Sequence, residues 1–163
     1  MADPILTLKL LMLLLTANGS PVLGKRLLGD RCAWPLDAGL RFFDGRPLLG
    51  QSKTVRGLVL SLAATTAVAS LLGFSWTLGL GFAAATMAGD LFSSFVKRRL
   101  KVRPSGQALG LDQIPEALLP LWIFRGSLGL DAGGIVALVL LFTVGELLLS
   151  RVMFRLGIRE QPY

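Results

Sequence analysis

The sequence predicts an all-α polytopic membrane protein, with about five transmembrane helices and two ordered loops gathered on one side of the bilayer. Three observations point to it. The chain of 163 residues is 53% hydrophobic with a mean hydropathy of +0.65, which is more apolar surface than one small water-soluble core can hide. The apolar residues come in runs long enough to cross a hydrocarbon core of roughly 30 Å, and Gly, Pro and charged residues are concentrated between those runs. The cations share these intervals: the loop 25–56 holds seven, the stretch 97–103 five and the C-terminal tail three, fifteen of the 17 Lys and Arg. By the positive-inside rule they mark the cytoplasmic face of a cell membrane, with the N-terminus outside.

Residues 4–22 form the first expected span. Lys9 lies inside this run and no small-residue cleavage site follows cleanly, so it reads as a retained helix and not a signal peptide. Asn18 within it suits a hydrogen bond between helices. From 25 to 56 the composition turns to Gly, Pro, Asp and Arg, the punctuation of an ordered loop. Trp34, Phe42, Phe43 and Leu48 recur through it, so the loop is expected at the membrane interface; a disordered linker would not carry them.

Residues 58–74 and 75–96 are two further spans, joined at Gly73, Phe74 and Ser75 into a helical hairpin. Gly79, Gly81, Ala85 and Gly89 line the second of them with small residues, which allow close approach of a neighbouring backbone. A second polar loop, 97–113, ends at Asp112, a suitable N-cap. Residues 114–124 are the shortest span, and Pro120 predicts a kink or partial re-entry. Residues 135–149 close the set, with Glu146 near enough to Arg151 and the interface to be paired or snorkelling there. No internal repeat is present, and the whole of 1–163 reads as one domain.

Composition also excludes functions. The net charge of +7 and pI near 10.5 do not indicate a nucleic-acid partner, because the cations adjoin apolar spans and lack interleaved aromatics. A single cysteine, Cys32, excludes an intrachain disulfide. With no histidine in the chain, any metal is expected to be a hard, oxygen-ligated ion such as Mg²⁺.

The chemistry concentrates where an apolar helix acquires polar residues. An acid inside an apolar helix is a functional-site hypothesis by default, and Asp90, Ser94 and Lys97 stand at i, i+4 and i+7, on one face. Arg98 is close to that face. Asp90 also admits a blander role as an ion pair with Lys97 or Arg98, while Arg99, Lys101 and Arg103 read as topology anchors. On the same side lie Asp44 in an Asp-Gly-Arg turn, then Lys53, Thr54 and Arg56, and Asp112 with Glu116 one helical turn on. Carboxylates that hold a divalent cation, beside cations that offset phosphate charge, are what phosphoryl and nucleotidyl transfer require. Lys53-Thr54 lacks the glycine spacing of a P-loop.

In order along the chain come Ala17-Asn18-Gly19-Ser20-Pro21, Pro35-Leu36-Asp37-Ala38-Gly39, Asp44-Gly45-Arg46-Pro47-Leu48-Leu49-Gly50, Lys53-Thr54-Val55-Arg56-Gly57, Gly89-Asp90, Ser94-Phe95-Val96-Lys97-Arg98-Arg99, Asp112-Gln113 and Gln161-Pro162-Tyr163. Together they resemble the CDP-archaeol synthase family over nearly the whole chain. The resemblance implies a Mg²⁺-dependent membrane cytidylyltransferase, related to the phosphatidate cytidylyltransferases, that transfers CMP from CTP to a membrane lipid phosphate. It further implies that Asp90 and Asp112 bind the metal and are catalytic together with Lys97, and that Lys53, Thr54, Arg56, Ser94, Lys97 and Arg98 contact CTP or the lipid phosphate, with Asp44 in the same substrate set and Asp37 behind it. One departure stands out: the family pattern has a second acid three residues after the Asp-Gln acid. Here that position is Pro115, and Glu116 follows as the candidate replacement ligand.

Two alternatives remain at this stage, a phosphatidate cytidylyltransferase making CDP-diacylglycerol and a non-catalytic protein that binds or transports a phospholipid. The sequence leaves open a homo-oligomer.

Overall fold

A computed structural model describes residues 3–102, 106 and 108–158, and among them every regular element is helical. The helices are α1 (Pro4–Leu28), α2 (Val55–Leu71), α3 (Trp76–Arg99), α4 (Gln113–Ile123), α5 (Arg125–Leu128) and α6 (Ala132–Arg155). Arg103, Pro104, Ser105, Gln107 and the tail with Arg159 and Gln161-Pro162-Tyr163 lie outside the described residues. Three helices, α1, α3 and α6, are long and apolar enough to cross a membrane, and α2 is a shorter apolar helix.

Local chemistry sets the helix ends. Thr54, Ser75 and Asp131 each precede a helix, and their side-chain oxygens accept the N–H groups of Gly57, Leu78 and Gly134. Each bond satisfies one of the donors a helix start leaves unpaired. α1 runs six residues beyond the expected end at Val22, carrying Lys25 and Arg26 in its last turn, where cations complement the helix dipole. It stops at Gly29, whose φ of +55° ends the helix.

α1 packs on α2, α2 on α3, α3 on α4 and α4 on α6, while α6 returns to lie beside α1. Leu10, Leu13, Leu14, Phe82, Leu121 and Phe142 are fully buried at the centre. Exposed Val59, Val136, Leu140 and Leu148 lie on the outer faces, as a bundle solvated by hydrocarbon requires. Two close approaches depend on glycine. A Cβ on Gly79 would come within 2.6 Å of the Ala69 Cβ, and one on Gly89 within 2.3 Å of the Pro115 carbonyl oxygen. The small-residue stripe of α3 thus serves two different neighbours.

The 11-residue α4 continues through Pro120, and the break expected there falls four residues later. The Pro120 carbonyl accepts the Phe124 N–H, and Phe124 is the hinge to α5. At about 1.5 Å per residue, α4 is much shorter than its neighbours. Two cations lie outside the three basic clusters. Lys9 donates from Nζ to the Leu72 carbonyl (2.8 Å) at the C-terminus of α2 and stands 5.6 Å from the Phe74 ring centroid. Arg125 stacks over Trp122 at 4.2 Å.

The loop between α1 and α2 is ordered, with isolated bridges pairing Pro35 with Thr54 and Arg41 with Pro47. Asp37 organises it, its carboxylate accepting the N–H groups of Gly39 (3.0 Å), Leu49 (2.9 Å) and Gly50 (3.0 Å). Burial pushes the Asp37 carboxyl up, but the bonds from Leu49, Gly50 and Gly39 outweigh it and leave it below its ordinary 3.8. A depressed carboxylate adds stability above its unfolded pKa, and that contribution is lost as pH falls through the folded value. The loop is therefore expected to stay protected in hydrogen exchange down to about pH 4 and to open in more acidic buffer. Asp37→Asn should open it at neutral pH, at a cost of about 2 kcal/mol; unchanged protection would remove Asp37 as the organiser.

Candidate active site

Two lysine–carboxylate pairs join the loops to α3. At the end of the first loop, Lys53 donates from Nζ to both oxygens of Asp90, at 2.7 and 2.5 Å. Further along α3, Lys97 pairs with Asp112 at 2.6 Å and donates to the Gly106 carbonyl at 3.3 Å. All four side chains are largely covered, with relative exposures of 12–23%. The partner of Asp90 is thus neither Lys97 nor Arg98, as the blander reading had it, but a lysine 37 residues away.

Glu116 lies inside this group, 4% exposed. It is within electrostatic reach of Asp90, Glu146, Lys53 and Asp112. Its position follows from the Gly89 contact: α4 rests its Pro115 carbonyl and the Glu116 Cα against the α3 backbone where Gly89 has no side chain. Asp90 is the next residue of α3. Beside Glu116, Gln113 is 2% exposed, its amide donating to Glu146 Oε2 (2.8 Å) and its carbonyl accepting the Gly110 N–H (3.0 Å). Glu146 therefore belongs to the group and is not simply an interfacial side chain beside Arg151. The signal that finds it is the one that found Asp90, an acid within an apolar helix.

Asp112 sits at the N-cap position of α4 but makes no side-chain capping bond. One of its oxygens takes the Ala108 N–H (2.9 Å) and the other Lys97, so charge pairing and loop closure replace the expected cap. Ser94 and Arg98 are buried, at 3% and 5% exposure, and the Arg98 guanidinium lies against Gly50 and near the Asp112 charge. Thr54 caps α2, while Arg56 donates to the Gly29 and Arg31 carbonyls (2.8 and 2.6 Å) and so ties α2 to the end of α1. Asn18 donates to the Leu14 carbonyl of its own helix (3.1 Å).

Asp44 pairs with Arg99 in a clasp that holds the first loop to the end of α3. Arg99 donates to Asp44 (2.6 Å) and to the Pro47 carbonyl (2.5 Å), its guanidinium lying over the edge-to-face pair of Phe42 and Phe95. Arg46 in turn donates to the Arg99 carbonyl (2.7 Å). Arg99 is thus a strap on the loop that delivers Lys53 as well as a cation at a membrane surface.

Asp90, Asp112 and Glu116 are oxygen donors of the kind a hard divalent cation takes. Among the described residues, however, no three such groups converge on one point, and Asp90 and Asp112 each spend oxygens on a lysine. The donors fit Mg²⁺ in kind, with the ammonium groups as the present counter-charge.

Comparison with known proteins gives concordant matches of three kinds. A family model described as CarS-like, CDP-archaeol synthase, matches residues 72–163. A CDP-archaeol synthase of Thermofilum pendens is 35% identical over 161 residues, covering 90% of this chain and 75% of that protein. One of Pyrobaculum calidifontis is 33% identical over 156 residues, 90% of each chain. A solved structure, of an intramembrane enzyme for archaeal membrane lipid biosynthesis, superposes with a TM-score of 0.76 at 31% identity and covers 90% of this chain and 94% of its own.

Proposed function

Because the chain belongs to the CDP-archaeol synthase family, we propose that its two lysine–carboxylate pairs and the buried Glu116 form the site where CMP passes from CTP to a membrane lipid phosphate. The protein is a multi-pass CTP-dependent cytidylyltransferase, and its products are a CDP-lipid and pyrophosphate. The observation that carries the site assignment is the contact of Lys53 with Asp90. It joins a lysine at the end of the first loop to an acid on α3, beside a second acid that is 4% exposed.

In the reaction, an oxygen of the lipid phosphate attacks the α-phosphorus of CTP. A new O–P bond forms as the bond to the β-phosphate oxygen breaks, and pyrophosphate departs with that electron pair. A phosphate monoester is already ionised near neutral pH, so no general base is needed and the lack of histidine is no obstacle. Position and electrostatics supply the catalysis. Lys53, Lys97 and Arg98 turn from their carboxylates to triphosphate and pyrophosphate oxygens, and Ser94 offers a hydroxyl on the same face. Asp90 and Asp112, with Glu116 in place of the acid missing at Pro115, would hold Mg²⁺, which when bound neutralises triphosphate charge. Thr54, Arg56 and Asp44 act by shaping and fastening the loop that carries Lys53. The concentration of cations beside these loops supports a cytoplasmic site facing the CTP supply.

The acceptor proposed is an archaeol-like ether-linked glycerol phosphate. Purified protein with CTP, Mg²⁺ and a panel of ether- and ester-linked glycerol phosphates, read by mass, tests both chemistry and acceptor. The expected result is a CDP-lipid with equimolar pyrophosphate, lost on chelation. A preference for ester-linked phosphatidate would move the assignment to CDP-diacylglycerol synthesis, and lipid-phosphate binding with no product from any acceptor would favour a carrier. Lys53→Ala is expected to weaken CTP binding about tenfold or more and also to lower the melting temperature, because Asp90 loses its counter-charge; unchanged CTP affinity would remove Lys53 from the nucleotide site.

A further inference from the structure

The stretch 17–21 on α1 meets the start of α2, just beyond Lys53, in the folded chain. Pro21 lies inside α1 and has no N–H, so the main-chain bond that position 21 would make to the Ala17 carbonyl is missing. Ala17 is fully buried, where a bare carbonyl has no water to turn to. The donor comes instead from the neighbouring helix: the Ser61 hydroxyl, also fully buried, donates to the Ala17 carbonyl at 2.9 Å. One turn nearer the start of α2, Gly57 lies against Pro21, and a Cβ there would stand 3.3 Å from the Pro21 Cβ and 3.2 Å from the Thr54 Oγ1. Leu60 fills the space that Gly24 leaves on α1. Residues 17, 21 and 24 share one face of α1, and 57, 60 and 61 one face of α2, so the two helices interlock at three successive steps around the proline.

We infer that Ser61 is a positioning residue for the nucleotide site: by taking up the carbonyl that Pro21 releases, it fixes how far α2 stands along α1, and so where Lys53 is presented to Asp90. The inference rests on the function proposed above, in which Lys53 turns from Asp90 to the phosphates of CTP. A slide of α2 along α1 by two residues, about 3 Å, would carry the hydroxyl out of reach of the carbonyl, so the bond indexes one helix against the other. From Ser61 the path to the site is short. Gly57 is one helical turn back, its N–H is accepted by the Thr54 side chain (3.1 Å), and Lys53 is the residue before that cap. The Lys53 carbonyl is held in turn by the Leu36 N–H (2.8 Å), and its Nζ meets both oxygens of Asp90. The backbone of Lys53 is thereby fixed at the end of a helix whose height is set by the proline turn of α1. A serine four turns of argument away from any phosphate thus acts on CTP only through the lysine it places.

Placement and activity are read separately. A membrane-permeant carbodiimide joins a carboxylate to an amine only where the two are in contact, so in the intact protein the Lys53–Asp90 and Lys97–Asp112 cross-links, mapped by mass spectrometry, report two pairs, of which the first alone depends on α2. In Ser61→Ala the ratio of the first cross-link to the second is expected to fall about threefold. Adding Pro21→Ala returns an N–H to the Ala17 carbonyl and is expected to restore the ratio. A residue that served stability alone would lower both cross-links together; that result, an unmoved ratio, or no recovery with Pro21→Ala overturns the proposal. Should Ser61→Ala not fold, Gly57→Ala, which presses a methyl on Pro21 and Thr54, is expected to lower the same ratio, and an unchanged ratio there overturns it as well. In the CDP-lipid assay Ser61→Ala is expected to raise KM for CTP about fivefold with kcat within about twofold. A fall in kcat with KM unmoved reports only a loss of folded enzyme and overturns the positioning role. Were no acceptor cytidylylated by the unaltered protein, the functional reading would fail while the cross-link ratio still decided what Ser61 places.

Discussion

In an Asp90→Asn variant, CDP-lipid formation falls by at least about 10³-fold while the helices still form and insert. The substitution keeps the volume and removes the charge. Both oxygens of Asp90 are engaged with Lys53, so the amide turns a charge-assisted contact into one in which an NH₂ group can face an ammonium group. Breaking such a pair by neutralising one partner in a covered site costs about 3 kcal/mol, and the one-fifth exposure of both side chains keeps the loss toward the low end. The catalytic loss is larger because the same carboxylate is assigned to the metal-bound triphosphate. A mass-detected turnover assay alongside a thermal melt separates the two effects, and turnover within tenfold of the unaltered enzyme would remove Asp90 from the site. Combined with Lys53→Ala, the effect on stability should be less than additive, since the two side chains share one interaction.

Gly89→Ala is expected to be nearly as damaging without touching a charge. The added methyl would meet the Pro115 carbonyl oxygen at 2.3 Å, its carbon at 2.6 Å and the Glu116 Cα at 2.7 Å. All three atoms are backbone, so no side chain can swing aside and α4 must move as a body. Overpacking of this kind costs about 3 kcal/mol, and displacement of Glu116 from Asp90 should reduce turnover by about 10²-fold. A melting temperature within a degree or two of the original, with full activity, would show that α3 and α4 do not need this contact. Gly145→Ala on α6, where an added methyl meets nothing within 4 Å, is the matched control and should change little.

The contrast between these glycines shows what could be read in the chain and what could not. Composition and run length were enough for the α2–α3 hairpin, and helical spacing was enough to put Asp90, Ser94 and Lys97 on one face, because both depend on residues near in sequence. The partner of Asp90 is not local. Lys53 stands 37 residues earlier, and Glu146 meets Gln113 across 33 residues, distances over which periodicity says nothing. The same limit explains Asp112, for which capping preference is a local rule while its actual partners were set by the folding of the second loop against Lys97. Pro115 looked like the loss of an acid. In the folded chain its carbonyl is the surface that seats α4 on Gly89, and the residue after it, Glu116, is the buried acid proposed as the replacement ligand.

Lys9 has a consequence for the order in which the protein is made. Its ammonium group is satisfied by the Leu72 carbonyl, a group that leaves the ribosome 63 residues later. Until then α1 carries a charge that hydrocarbon does not solvate, and the nascent helix lacks its neighbour. α1 finds this partner only once α2 has followed it, so the α1–α2 pair is the smallest unit in which the Lys9 ammonium has the carbonyl it donates to.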